Sequence, residues 1–295
     1  MISPEARAEL ERMFANRKPE LPIAERRRNW EAEARLQVLP RDARFAAVEV
    51  EGVSCEWMEM PHVWRDRVML FLHGGGYNAG SARTHRRLAA DLSRASYMRL
   101  LLPNYRLAPE HPFPAGLKDA LLVYRWLLGQ GFAEEQIVLG GDSAGGGLVL
   151  SLLLALKAAG AKMPAGALLL APWTDLTCSS PSYARLKKFD PIITPERLRR
   201  AGTEYAGGRD PADPAMSPLF ADLAGLPPLL IHAGADETMV DDSRLFAERA
   251  AAAGVEVSCT IYPGMWHVFH NVGTGVPEAR QAIDEAGTWV KALFR

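Results

Sequence analysis

The sequence predicts an α/β fold, a mainly parallel sheet with helices on both faces. Three observations carry that reading. From about residue 44, short β-rich runs alternate with longer amphipathic ones. Most of the short runs are apolar at every position, which marks strands covered on both faces rather than strands with one wet side. Finally, two of the runs end in glycine clusters, "HGGG" at 73–76 and "GGDSAGGG" at 140–147, where the chain must turn sharply or approach another group closely.

In chain order, "RFAAVEV" (44–50) and "SCEWMEM" (54–60) read as an opening strand pair. "RVMLFLH" (67–73), "MRLLLP" (98–103), "QIVLGG" (136–141), "GALLLAP" (166–172), "PPLLIHAG" (227–234) and "EVSCTIYP" (256–263) follow as mostly buried strands. Helices are expected at 83–96, 115–130, 145–160, 240–253 and 277–294. The last places Ala279, Ile283, Ala286, Val290 and Leu293 on one stripe, with Pro277 near its start. Two stretches break the alternation. Residues 1–40 are charged and helical, with Ser3-Pro4 as a helix start and Leu10, Met13 and Phe14 as an apolar side. Residues 176–215 carry aromatics and five prolines and are too long for a simple connection. Both are expected to form one cap over the C-terminal edge of the sheet, leaving 41–295 as the core that carries the 176–215 insertion.

The bulk numbers narrow the function classes. The chain has 295 residues, enough for one large domain with an appendage. Its 34 basic and 35 acidic residues leave a net charge of −1, giving no electrostatic reason to expect nucleic acid or an anionic membrane as partner. The start, "MISPEARAELERMF", lacks the basic-then-apolar pattern of a secretory signal. Cys55, Cys178 and Cys259 are scattered, odd in number and without metal-ligand spacing. These features fit a cytoplasmic protein without metal or other cofactor.

Gly141-Asp142-Ser143-Ala144-Gly145 is a G-x-S-x-G pattern lying between an expected strand and an expected helix. Such a turn holds the serine hydroxyl out into a site, and its flanking glycines leave room for the turn and for close helix packing. The N–H groups of Gly75, Gly76 and Ala144 are then candidates for a three-donor oxyanion hole, because acyl transfer needs donors aimed at a developing negative charge. No GK[ST] follows "HGGG", so a phosphate cradle is a poor alternative. A general base must lie after the last strand: "YPGMWHVFHN" (262–271) offers His267, with His270, His73 and His232 as competitors. An orienting carboxylate is sought in "HAGADETMVDDS" (232–243), which offers Asp236, Glu237, Asp241 and Asp242. Of Asp236 and Glu237, one would orient the imidazole and the other cap the next helix.

These residues resemble those of the bacterial hormone-sensitive-lipase-like (family IV) carboxylesterases, a group with the α/β-hydrolase fold. The resemblance runs through "HGGGY" (73–77), "NYRLAPEHPFPA" (104–115), "GDSAGGGL" (141–148), "SPLFADLAGLPPLLIHAGADE" (217–237) and "YPGMWHVF" (262–269), nearly the whole chain. It implies an eight-stranded, mostly parallel sheet flanked by helices with a helical cap, no metal, and hydrolysis of short-to-medium acyl esters through an acyl-serine. Carried over residue by residue, it makes Ser143 the nucleophile, His267 the base, and Gly75, Gly76 and Ala144 the oxyanion hole. Many members have Asp in a D-P-L-x-D run; the run here is Glu237-Thr238-Met239-Val240-Asp241, so Glu237 takes the acid position, with Asp236 as the alternative. Asn104 stands where relatives usually carry Asp. Tyr105, Arg106 and Glu110 are expected to hold the loop beneath the hole.

Pocket-lining candidates are Tyr77, Asp142, Trp173, Tyr205, Met239 and Val268. The partner is then a small-molecule ester. The same machinery would also serve an amidase or deacetylase, and a hydrolase-like binding protein is the alternative of a different class. The resemblance makes a homodimer through the edge strand "EVSCTIYP" or the last helix a reasonable arrangement.

Overall fold

Strands β3 (Val68–Leu72), β5 (Ile137–Asp142), β6 (Gly166–Leu170) and β7 (Leu229–Gly234) are buried at every residue, as expected for strands with a helical layer on each face. The computed structural model describes residues 2–17 and 21–295; residues 1 and 18–20, part of the expected N-terminal unit, lie outside the described residues. With β1 (Arg44–Val50), β2 (Val53–Glu59), β4 (Arg99–Pro103) and β8 (Val257–Tyr262), these strands form an eight-stranded sheet in the order β1-β2-β4-β3-β5-β6-β7-β8. Pairing is parallel from β4 across to β8 and antiparallel where β2 meets β1 and β4. All eight runs read from the sequence are strands. β8 departs from expectation in one respect: Ser258 and Cys259 are exposed, because it is an edge strand rather than one covered on both sides.

The two faces of β3 show the period of two directly. Val68, Leu70 and Leu72 join a core with α4 (Ala115–Gly129), α5 (Ala144–Ala158) and α8 (Val240–Ala252), whose contributors include Val123, Leu127, Leu148, Leu152 and Phe246. Met69 and Phe71 point the other way, into a core built with α3 (Arg86–Ser96) and α9 (Pro277–Ala292) from Leu88, Leu92, Ala286 and Val290. The predicted stripe on α9 is the buried one, except that Leu293 is only partly covered and lies just past the helix end. The first turn of the expected helix at 83–96 is 3₁₀, over Arg83–His85.

The two irregular stretches pack near the C-terminal ends of the strands. Helix α1 (Pro4–Ala15) starts at Ser3, whose Oγ accepts from Ala6 N at 3.1 Å. Ser3 also donates its N–H and its Oγ–H to the Glu278 carboxylate (2.6 and 2.7 Å), fastening α1 to the start of α9. Leu10 and Met13 cover Tyr262, Met265 and Trp266, whereas Phe14, expected on the same side, is 38% exposed. Helix α2 (Ile23–Arg35) lies against the glycine loop after β3. The 176–215 stretch forms α6 (Ser182–Arg185) and α7 (Pro195–Ala206), the latter capped by Thr194 Oγ1.

Helices α3 and α9 meet closely at Gly287, where a Cβ would stand 2.4 Å from the carbonyl carbon and oxygen of Ala95. Helix propensity alone favours alanine there by about 1 kcal/mol, but backbone cannot recede as a side chain can. Gly287→Ala is therefore expected to lower stability by about 1–3 kcal/mol, measured by urea unfolding. A stabilised variant would show that the α3–α9 contact is loose.

Candidate active site

The turn between β5 and α5 places Ser143 at φ +52° and ψ −124°, a strained conformation for a residue with a side chain. Neighbouring backbone enforces it. Ser143 N donates to Leu170 O (2.8 Å), and Ser143 O accepts from Trp173 N (2.9 Å) and Gly147 N (3.1 Å). The flanking glycines are sterically required. A Cβ on Gly145 would lie 2.0 Å from Leu72 O, and one on Gly141 2.6 Å from Gly145 C.

His267, on the loop after β8, has its Nε2 2.9 Å from Ser143 Oγ. Its other ring nitrogen, Nδ1, is 3.4 Å from Glu237 Oε2. That oxygen also accepts from Gly234 N at 3.3 Å. Of the four carboxylates offered by 232–243, Glu237 is the one beside this imidazole. Asp236 is partly exposed, its N–H donating to Met265 O at 3.0 Å. Asp241 accepts from Ser182 N, and Asp242 from Thr174 N, Asp175 N and the Tyr183 hydroxyl. The expectation that Asp236 or Glu237 caps the following helix is not met: α8 starts at Val240 with Met239 as an N-cap that makes no side-chain bond. The competing histidines lie elsewhere. His232 and His270 stack with centroids 5.7 Å apart, and His73 stacks on Tyr105 at 4.3 Å. Burial pulls His73 down to about 3 and His232 to about 4. For His267, burial also opposes the charge, but Glu237 outweighs it and holds the imidazole above its ordinary value. Burial in turn raises the Glu237 carboxyl, with His267 offsetting part of that rise.

Gly75 and Gly76 follow β3 at φ +124° and +65°, and Ala144 opens α5. A Cβ on Gly75 would stand 2.1 Å from Ala79 O, so only glycine fits. The loop is gripped from several sides. Gly74 N donates to Asp142 Oδ1 (2.9 Å), and the Asp142 carboxylate lies 3.3 Å from His85 Nε2. Asp142 was expected among the pocket residues; it sits instead beneath the loop, its carboxylate consumed by this bracing. Tyr105 Oη donates to His73 O at 2.6 Å, and Glu110 makes a two-pronged pair with Arg27 on α2 at 2.8 Å. Arg27 also donates to Asn78 O and Ala108 O (both 2.7 Å). Tyr105 and Glu110 thus brace the loop as expected, whereas Arg106 pairs with Asp119 on α4. Asn104 Oδ1 accepts from Ala82 N at 2.9 Å. Above the loop, Tyr77 stacks on Tyr205 of α7 (3.7 Å, 7°), with Trp173 at 5.6 Å from Tyr77. Tyr77, Trp173, Tyr205, Met239 and Val268 are all buried. The sequence reading missed Arg27 and His85, which carry no local signal because their partners Asn78 and Asp142 lie 51 and 57 residues away.

The fold and this arrangement define an α/β hydrolase, and the α/β-hydrolase-fold family profile matches residues 69–271. An acetyl-hydrolase of Streptomyces hygroscopicus is 40% identical over 264 residues, covering 90% of this chain and 87% of that protein. The crystal structure of an esterase from the bacterial hormone-sensitive lipase family superposes with a TM-score of 0.96 at 40% identity, covering all of both chains. That of EstE5, soaked with p-nitrophenyl butyrate, gives 0.95 at 39% identity over 99% of each. The chain belongs to the α/β-hydrolase family, in the branch of hormone-sensitive-lipase-like carboxylic ester hydrolases. Among the described residues, no helix is long and apolar enough to cross a membrane.

The Asp142–His85 pair has a measurable pH signature. Burial works against both charges, yet mutual attraction leaves Asp142 below and His85 above their ordinary values. The lowered Asp142 value adds stability above the unfolded carboxylate range, lost as pH falls through the folded value. The raised His85 value adds stability below the unfolded imidazole range, lost as pH rises through the folded value. Their joint effect is fullest between about pH 4 and 6.5. Asp142→Asn should therefore lower Tm most near about pH 5 and less on either side; a pH-independent deficit would mean the pair is neutral in the folded protein.

Proposed function

We propose that this chain hydrolyses short-to-medium acyl esters of small alcohols through an acyl-serine intermediate, with Ser143 as nucleophile, His267 as general base and acid, and Glu237 as the orienting carboxylate. The observation that carries the reading is the continuous contact from Ser143 Oγ to His267 Nε2 (2.9 Å) and from His267 Nδ1 to Glu237 Oε2 (3.4 Å) on a strained turn. His267 removes the Ser143 proton as Oγ attacks the ester carbonyl, and Glu237 stabilises the resulting imidazolium. The carbonyl oxygen becomes an oxyanion, which the N–H groups of Gly75, Gly76 and Ala144 receive; one such donor is worth about 3–4 kcal/mol. Collapse expels the alcohol with the proton held by His267, and water then repeats the sequence on the acyl-serine.

The substrate range follows from the walls. The described residues of 1–40 act together with 176–215 as a cap. Helix α2 holds the glycine loop through Arg27, and α7 overhangs it, with Ala201 Cβ 3.6 Å from where a Cβ on Gly76 would lie. Tyr77 stacks on Tyr205, and Trp173 is tilted against Tyr77; these bulky rings over the glycine loop favour a short acyl chain. The acetyl-hydrolase relative and the butyrate ester soaked into EstE5 fit the same range.

The test is release of p-nitrophenol from acetyl, butyryl, octanoyl and palmitoyl esters. Turnover should be highest with the shorter esters and fall at least about 10⁴-fold in Ser143→Ala. Because His267 must be neutral to accept the proton, kcat/KM should rise with pH through a value above the ordinary imidazole range. Glu237→Gln, which removes the charge sustaining that value, should move this acid limb to lower pH while reducing kcat. Equal turnover of palmitoyl and butyryl esters would overturn the short-chain assignment, and an active Ser143→Ala the nucleophile.

A further inference from the structure

The insertion between β6 and β7 does more than wall the cleft: it grips the peptide next to Glu237 from both sides. Asp190 is completely buried, and its Oδ2 accepts from Thr238 N at 2.8 Å. Its Oδ1 accepts from Ile192 N and Ile193 N, each at 2.9 Å, which fixes the carboxylate in its own loop. On the other side, Ser182 Oγ donates to Thr238 O at 2.8 Å, and Ser182 N donates to Asp241 Oδ2 at 2.9 Å. Ser182 and Thr238 are also fully buried.

Glu237 itself has few restraints. Among the described residues, its Oε2 meets only Gly234 N and His267, and its buried Oε1 has no partner. A carboxylate so loosely held depends on the backbone that carries it. We propose that Asp190 is a positioning residue for ester hydrolysis: it fixes the Thr238 peptide so that Glu237 meets His267. This rests on the Ser143–His267–Glu237 reading. A purely local role in the 190–193 turn would require only the bonds to Ile192 and Ile193; the second oxygen is turned to the acid loop instead.

The charged and titratable groups acting on His267 come from separate elements: Glu237 after β7, Asp190 from the insertion, Asp142 at the end of β5, and His270 on its own loop. Asp190 favours the charged imidazole, as Glu237 does. Burial raises the Glu237 carboxyl, and the nearby Asp190 adds to that rise.

Asp190→Asn tests this positioning role. The amide can accept from Ile192 and Ile193, but its NH₂ then faces Thr238 N–H, donor against donor. With p-nitrophenyl butyrate, kcat should fall about tenfold or more with KM little changed, and the acid limb of kcat/KM should move to lower pH. Ser182→Ala loses the bond to Thr238 O without setting donor against donor; it should lower kcat several-fold and move the acid limb less than Asp190→Asn does. Urea unfolding and circular dichroism identify variants that fail to fold, and Ser182→Ala alone keeps the bracing testable if Asp190→Asn is one of them. An Asp190→Asn enzyme with wild-type kcat and an unmoved acid limb, or a folded Ser182→Ala enzyme with wild-type kcat, would overturn the inference. Ser143→Ala in the same assay keeps the two levels apart. If it is inactive the triad reading stands whatever Asp190 does, and if it is active the triad reading itself has failed.

Discussion

The close approach of α5 to the end of β3 is the constraint from which the rest of the site follows. The helix can begin immediately after β5 only because Gly145 presents no side chain to Leu72 O, and Gly141 none to Gly145. That contact drives Ser143 to a positive φ, and its peptide is caught between Leu170 and Trp173 on the neighbouring segment. The strain is local, of order 1–3 kcal/mol, and is set against burial across two continuous cores. The same approach brings the start of α5 beside the glycine loop after β3, so the N–H of Ala144 and those of Gly75 and Gly76 belong to segments already in register. The turn also delivers Asp142, one residue before Ser143, under the loop rather than into the cleft.

Two buried carboxylate–imidazole pairs therefore flank Ser143. One, Glu237–His267, faces the hydroxyl; the other, Asp142–His85, faces away and holds Gly74. Their chemistry diverges because their surroundings do. Asp142 has partners on both oxygens, with Gly74 N donating to Oδ1 and His85 Nε2 lying 3.3 Å from Oδ1 and 3.4 Å from Oδ2, and its carboxyl is held below the ordinary value despite burial. Glu237 gathers Gly234 N and His267 on one oxygen and, among the described residues, leaves the other without a partner; burial, and then the nearby Asp190, raise its carboxyl. A firmly ionised pair suits a fixed brace. A less saturated one suits a site in which the imidazole must exchange a proton, because an imidazole already held as a fully satisfied ion would be a poor base.

Much of this was legible in the sequence because it is local. Unbroken apolar runs marked β3, β5, β6 and β7, and the glycine spacing around Ser143 marked a turn whose geometry needs those glycines. The positions just past β8 and β7, where a parallel sheet gathers its loops, were legible as places for a base and an acid, but the residues alone left Asp236, Glu237, Asp241 and Asp242 open and only the family resemblance favoured Glu237. What was illegible depends on partners distant in sequence. Asp142 next to Ser143 looked like a cleft residue until His85 and Gly74 claimed its carboxylate. β8 looked like a buried strand because its composition does not reveal that nothing pairs beyond it. Phe14 shares a helix with Leu10 and Met13, yet α1 rotates it away from Trp266. Arg27 and Asp190 sit in charged or proline-flanked stretches that look like solvated surface. They become structural only when α2 and the insertion close over the sheet.

That closure couples specificity to chemistry. The insertion that contributes Tyr205 to the ring stack over the glycine loop also supplies Asp190 and Ser182 to the acid loop. The 173–183 segment leading into it is fastened to α8 as well, where Asp242 accepts from Thr174, Asp175 and Tyr183. Burial, and then the nearby Asp175, push Asp242 up to about 8, so this anchor is itself sensitive to charge. Enlarging the pocket by moving the insertion outward would stretch these bonds and loosen the segment carrying Glu237. Enlarging it by trimming Tyr77 or Tyr205 would leave the anchors in place. On the proposed assignment, change in acyl range is compatible with retained catalysis along the aromatic wall and opposed to it along the insertion backbone, because that backbone is bonded to the segment carrying Glu237.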